Sequence, residues 1–130
     1  MFLLVGIAGF IPGLTSDYSS MSFAGMNSMA MLLGVFQVSV LHNIVPLLFG
    51  IVGVAASRGA RASKRFLIIG GVVYAVLWVY GLVINMSSSA NFVPLNTADN
   101  WLHLGLAVGM IVLGLVVPGV RRTAAATTRA

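Results

Sequence analysis

The sequence predicts an all-α membrane protein, a polytopic four-helix bundle of two helical hairpins in parallel orientation. Three observations support this fold class. The 130-residue chain is 59% hydrophobic and only 7% charged, with a mean hydropathy of +1.05, whereas charged residues usually make up about a quarter of a soluble chain. Four apolar segments follow one another, and the basic residues form two clusters, each after a long apolar segment.

The four predicted helices cover about residues 1–11, 36–57, 66–86 and 100–118. A transmembrane helix needs about 20 apolar residues, and the last three segments are long enough. They show no two-residue alternation, which favours helices over strands. The first segment is too short, since eleven residues rise about 16 Å against about 30 Å of hydrocarbon. We therefore expect the recorded start to lie inside the first helix.

The placement of charge predicts the orientation of the chain. The seven basic residues are Arg58, Arg61, Lys64 and Arg65, then Arg121, Arg122 and Arg129. Loops rich in Lys and Arg stay in the cytoplasm, so both termini are predicted to be cytoplasmic. The four-helix domain then covers 1–120, with a basic cytoplasmic tail at 121–130. This placement favours a role of the net charge of +5 in membrane topology over nucleic-acid binding.

A short motif occurs twice, as FIPGLTSD at 10–17 and FVPLNTAD at 92–99. Each copy follows an odd-numbered predicted helix and ends with one of the chain's two acidic residues, Asp17 and Asp99. Proline disfavours helical geometry in the residue before it, so the odd helices are predicted to end at Ile11 and Val93. The threonines or aspartates of the motif are predicted to cap the next helix.

The even-numbered helices also resemble each other. Segments 40–57 and 101–118 align at an offset of 61 residues, which pairs His42 with His103. The motifs are 82 residues apart, so the first outer connection carries 21 additional residues, rich in Ser and Met and without charge. This insertion is expected to form an amphipathic or re-entrant segment. The chain is thus predicted to contain two related hairpins.

The candidate functional residues form a predicted polar cluster at the outer ends of the helices: Asp17, His42, Asn43, Asp99, Asn100 and His103. Asp99 and His103 are four residues apart and share a helix face. Two histidines and two aspartates are expected to converge there, where proton coupling or metal binding is chemically possible. Alternatively, the histidines tie the outer loops to the helix ends. No metal is predicted, because no ligand spacing such as HxxxH is present.

Aromatic and glycine residues suggest two further features. Tyr74, Trp78 and Tyr80 are candidates to line a cavity for a flat ligand such as a quinone, whereas packing or lipid contact is the usual explanation of such residues. Trp101 is predicted to anchor the chain at the membrane interface. The GxxxG pair Gly105 and Gly109 permits close helix contact within the bundle or between copies. The chain has no cysteine and no catalytic set is evident.

Nearly the whole chain, about residues 3–117, resembles the actinobacterial membrane family called domain of unknown function 4383. The segments GVFQVSVLHNIVPLLFGIVGVA and NFVPLNTADNWLHLGLAVGMIVLG carry the resemblance. It implies a four-helix membrane protein, distantly similar to DoxX-like proteins, with no established activity. The family pattern has a second histidine where this chain has Pro46, which weakens a family-wide metal or proton role.

Two function hypotheses follow. The first is a non-catalytic accessory or assembly subunit of a membrane or envelope complex, with the lipid bilayer and a membrane protein partner or a second copy as partners. The second is a DoxX-like redox component or small-molecule or proton carrier, with a quinone as the possible cofactor near His42, Asp99 and His103. A cavity lined by both histidines favours the second, whereas histidines bonded only to loop backbone favour the first.

Overall fold

The computed structural model describes residues 1–25 and 27–118 and is mostly helical. In chain order its elements are α1 (Phe2–Ala8), β1 (Thr15–Ser16), β2 (Met31–Leu32), β3 (Phe36–Gln37), α2 (Val40–Ala56), α3 (Ala60–Val83) and α4 (Thr97–Val116). A short 3-10 turn at Tyr18–Ser20 follows β1. Helices α3 and α4 are long and apolar enough to cross a membrane. The predicted tail at 121–130 lies outside the described residues.

The helices pack as two antiparallel pairs, α1 with α2 and α3 with α4, and α2 also contacts α3. Glycines allow the close approach within each pair. A Cβ atom on Gly6 would lie 2.8 Å from the backbone nitrogen of Leu47, and one on Gly71 would lie 3.0 Å from the carbonyl oxygen of Ala107. The GxxxG glycines, Gly105 and Gly109, have no such neighbour within 4 Å, so they make no helix contact within the described part of the chain.

A small antiparallel sheet, in the order β1-β2-β3, corrects the all-α prediction. Strands β2 and β3 lie in the insertion, for which an amphipathic or re-entrant segment is predicted, and β1 lies in the first motif copy. Leu33 and Gly34, at the β2–β3 turn, both have left-handed backbone angles, with φ of 54° and 69°, as tight hairpin turns require. Buried Ala30, Leu32 and Val38 form a small core beneath the sheet.

The predicted helix ends at Ile11 and Val93 are wrong, and of the two motif copies only the second caps the next helix, through Asp99. Helix α1 ends at Ala8, before Pro12, and α3 ends at Val83, ten residues before Val93. Thr15 does not cap the following helix, because its hydroxyl donates hydrogen bonds to the carbonyls of Ala8 and Gly9 at the end of α1. Helix α2 is instead capped by Ser39, whose hydroxyl accepts from the backbone nitrogen of His42 at 3.1 Å.

The basic cluster was predicted to lie in a loop at 58–65, but α3 begins at Ala60 and includes three of its residues. The connection between α2 and α3 is only residues 57–59. Lys64 Nζ donates to the carbonyl of Val117 at 3.5 Å, just beyond the end of α4. This contact places a positive charge at a helix C-terminus, where the helix dipole favours it.

A capping box starts α4. The Asn96 side chain accepts from the backbone nitrogen of Asp99 at 2.9 Å, and Asp99 Oδ2 accepts from the backbone nitrogen of Asn96 at 3.0 Å. Asn96 Nδ2 also donates to the carbonyl of Val35 at 2.8 Å. Asn96 therefore joins the β2–β3 turn to the start of α4.

We expect Asn96→Ala to lower the free energy of unfolding by about 1–2 kcal/mol, because it removes both the cap and the amide donor. Unfolding in detergent, followed by tryptophan fluorescence, measures this. The control is Asn96→Ser, which retains a capping oxygen and should lower the free energy of unfolding by less. Equal losses for the two variants would contradict the capping role.

Candidate functional site

A cavity of about 310 Å³ lies between α2, α3 and α4, at the end of the helices away from the 57–59 connection. Its walls are mainly aliphatic and aromatic, with two imidazoles and two phenols among them. The lining residues are His42, Val45, Pro46, Tyr74, Val76, Leu77, Tyr80, Phe92, Val93, Leu95 and His103. A concave apolar site with a few polar groups is the usual form of a small-molecule site.

The loop between α3 and α4 covers one side of this cavity, and Asn91 organises it. Asn91 is 1% exposed. Its amide donates to the carbonyls of Met86 and Leu95, and its Oδ1 accepts from the backbone nitrogen of Leu95 at 3.0 Å. The Tyr80 hydroxyl holds the same loop by donating to the carbonyl of Ala90. These bonds fix the lining residues Phe92, Val93 and Leu95, for which the sequence carries no signal of a binding site.

His42 connects this loop to α2. Its Nδ1 lies 3.1 Å from the carbonyl oxygen of Pro94. Since a carbonyl oxygen only accepts, Nδ1 must carry the hydrogen, and a neutral His42 then has an acceptor at Nε2. His42 thus has a structural bond on one ring nitrogen and faces the cavity with the same ring.

His103 differs from His42 because its Nδ1 is buried and has no hydrogen-bond partner within the part of the chain that the structure describes. The residue is 5% exposed. Its ring centroid lies 6.5 Å from that of His42 and 5.6 Å from that of Tyr74. A buried polar atom without a partner costs about 1–3 kcal/mol. A ligand that supplies the missing hydrogen bond would recover this energy.

The remaining members of the predicted polar cluster do not line the cavity. Asp99 is buried in the capping box, and its hydrogen bond is to the Asn96 backbone rather than to His103. Asn43 packs against Gly9, and Asn100 packs against Gly81. Asp17 is exposed beside the 3-10 turn, with a left-handed φ of 49°. The structure therefore brings together the two histidines but not the two aspartates.

When the two hairpins are aligned by the N-caps of α2 and α4, the register differs from that of the 61-residue alignment. Asn43 and Asn100 each lie four positions after their caps, Ser39 and Asn96. His42 lies three positions after its cap, whereas His103 lies seven positions after its own. In this register Pro46, not His42, corresponds to His103. Both Pro46 and His103 line the cavity.

Two of the three aromatic residues predicted to line a cavity do so. Tyr74 and Tyr80 are lining residues, whereas Trp78 is not. Tyr74 also stacks on Phe2 of α1, with ring centroids 5.7 Å apart. Within residues 1–25 and 27–118, no three metal-ligating side chains of the His, Cys, Asp or Glu type lie together. The cavity therefore offers a ligand a few hydrogen-bonding groups between apolar walls.

Comparisons with known proteins identify a family. The model of the family described as Domain of unknown function (DUF4383) matches residues 1–116. No curated protein and no solved structure matches the chain significantly. The resemblance to this family is confirmed, whereas the actinobacterial origin and the similarity to DoxX-like proteins stay predictions.

Proposed function

The chain belongs to the DUF4383 family, and we propose that it is an integral membrane protein that binds an apolar small molecule in the cavity between α2, α3 and α4. The observation that carries this proposal is that His42 and His103 line the same cavity, and that the buried Nδ1 of His103 has no hydrogen-bond partner among residues 1–25 and 27–118. The geometry favours ligand binding over the accessory role, because both histidines line one cavity and only His42 is bonded to loop backbone.

The exposure of the long helices supports insertion into a membrane. The apolar windows of α3 and α4 have mean hydropathies of 2.3 and 1.5, yet only 22% and 33% of their residues are buried inside the protein. A core helix of a soluble protein is mostly buried. Ile69, Val76 and Leu115 are each more than 60% exposed, and lipid is the solvent in which such side chains are stable.

Cysteine labelling tests the membrane topology. The chain has no cysteine, so single-cysteine variants need no further changes. We expect a membrane-impermeant maleimide to label Ser19→Cys in intact cells and to label Arg58→Cys only after permeabilisation, because the basic connection is proposed to be cytoplasmic. Both native residues are exposed. Labelling of Arg58→Cys in intact cells would overturn the proposed orientation.

The cavity chemistry points to a flat ligand with a carbonyl or hydroxyl oxygen, of which a quinone is the representative to test. Tyr74, Tyr80 and Phe92 provide aromatic walls. An N–H of the His103 imidazole can donate to a quinone carbonyl, and Nε2 of a neutral His42 can accept from a hydroxyl of the reduced ring. We expect saturable binding of a short-chain benzoquinone to the purified protein; purely non-saturable partitioning would reject the proposal.

The accessory or assembly role is the second candidate. Gly105 and Gly109 leave an open strip on α4, beside the exposed side chains of Val108 and Val112, where another transmembrane helix fits closely. Purification in mild detergent followed by mass spectrometry distinguishes the two functions. A stoichiometric membrane protein partner together with absent quinone binding would favour this second role.

A further inference from the structure

A second, larger apolar groove lies between α2 and α3, next to the basic connection. Its volume is about 790 Å³. The side chains of Val52, Phe66, Ile69 and Val73 form its walls, and Arg61 and Arg65 lie at its end. Val52 and Ile69 are 56% and 63% exposed, so the groove opens to the surroundings along its length. We call this feature the α2–α3 groove.

The two arginines form a positive site that neither of the chain's two acidic side chains neutralises. Arg61 and Arg65 are exposed and four residues apart on α3, so they lie on one helix face. The chain has only two acidic side chains. Asp17 follows α1 and Asp99 lies in the first turn of α4, at the opposite end of the antiparallel helices. Guanidinium groups bind phosphate oxygens strongly, often through two parallel hydrogen bonds.

The length of the groove matches one leaflet of a bilayer. From Arg61 to Val73 on α3, the helix rises about 18 Å, and one leaflet contributes about half of the 30 Å hydrocarbon thickness. Basic pockets between membrane helices on the cytoplasmic side suit anionic headgroups, and anionic lipids are concentrated in that leaflet. The positive charge, the apolar walls and the length of the groove therefore all fit an anionic lipid.

We propose that the α2–α3 groove binds one anionic phospholipid of the cytoplasmic leaflet, with its phosphate at Arg61 and Arg65 and an acyl chain along Val52, Ile69 and Val73. This inference rests on the proposed membrane insertion with the basic connection in the cytoplasm. It is independent of ligand binding at His103, since the cavity and the groove share no lining residue.

Native mass spectrometry of the detergent-purified protein, titrated with phosphatidylglycerol or with phosphatidylcholine of the same acyl chains, tests the proposal. We expect one phosphatidylglycerol to bind in preference to phosphatidylcholine. Arg61→Gln combined with Arg65→Gln should weaken its binding about thirtyfold, the combined effect of two basic residues at an anionic site. Arg58→Gln is the charge control, because Arg58 is exposed but does not line the groove, and it should retain the lipid.

A second pair of variants separates a groove from a general charge effect. Ile69→Trp fills the groove without changing any charge and should also displace the lipid, whereas Val112→Trp, on the exposed face of α4, should not. The proposed lipid site would be overturned if Ile69→Trp retained phosphatidylglycerol. It would also be overturned if Arg58→Gln weakened lipid binding as much as the double variant of Arg61 and Arg65. If either outcome occurs while cysteine labelling still places position 58 in the cytoplasm, the lipid site alone is rejected and the proposed topology stands.

Discussion

His103→Phe is expected to lower the affinity for a short-chain benzoquinone at least about tenfold, because it removes the nitrogen proposed to donate to the ligand while keeping a ring of similar size. The measurement is equilibrium binding to the purified protein, with the background of detergent partitioning subtracted. Trp78→Phe is the matched control, because Trp78 lies on the same helix as Tyr74 and Tyr80 but does not line the cavity. Unchanged affinity in His103→Phe would reject the proposed site.

The stability of the same variant separates a binding residue from a structural one. Since Nδ1 of His103 has no partner among the described residues, its removal breaks none of their hydrogen bonds. Replacing an unsatisfied buried polar group with an apolar one leaves the stability of the protein nearly unchanged or raises it. We therefore expect His103→Phe to lose quinone binding while keeping or raising the unfolding midpoint without ligand. A large loss of stability would indicate a structural histidine.

Gly71→Leu is expected to lower the free energy of unfolding by about 3 kcal/mol, the upper end of the usual range for overpacking. A Cβ atom at this position would lie 2.6 Å from Ile111 Cγ1 and 3.0 Å from both the Ala107 carbonyl oxygen and the Ile111 nitrogen. Two of these three atoms belong to the backbone of α4, so a leucine fits only if α3 and α4 move apart.

Gly109→Leu is the matched control, because a Cβ on Gly109 meets no atom of residues 1–25 or 27–118 within 4 Å. Its effect on unfolding should stay below about 1 kcal/mol, and the higher helix propensity of leucine acts in its favour. Unfolding of both variants in detergent, followed by fluorescence, gives the comparison. If Gly71→Leu and Gly109→Leu lowered the free energy of unfolding by similar amounts, the contact at Gly71 would not be what holds α3 and α4 together.

Sequence reasoning located the long helices but not all of their ends. Residues 66–86 and 100–118 were predicted, and α3 and α4 occupy Ala60–Val83 and Thr97–Val116. The early start of α3 was missed because Arg61, Lys64 and Arg65 interrupt the apolar pattern. The start of α4 had a readable signal, since Asn96 followed three residues later by Asp99 matches a capping box. The sheet had none, because two-residue strands show no periodicity.

The candidate site was predictable only in part. Both histidines were chosen because ionisable residues are rare in apolar segments, and both line the cavity. Asp17 and Asp99 were chosen for the same reason, yet one is exposed and the other caps its own helix. Asn91, which holds the covering loop, lies in a polar stretch of the sequence and carries no pattern that marks it as buried.

The sequence by itself determined the number and order of the apolar segments and the separation of basic from acidic residues, because hydropathy and charge are local properties that add along the chain. Only the tertiary structure decided which glycines are contacts, which imidazole nitrogen lacks a partner, and where α2 and α3 leave a cavity and a groove. These features depend on atoms from distant segments meeting within a few ångströms. Gly71 and Gly109 show this, since identical residues in similar apolar surroundings have opposite environments once the helices pack.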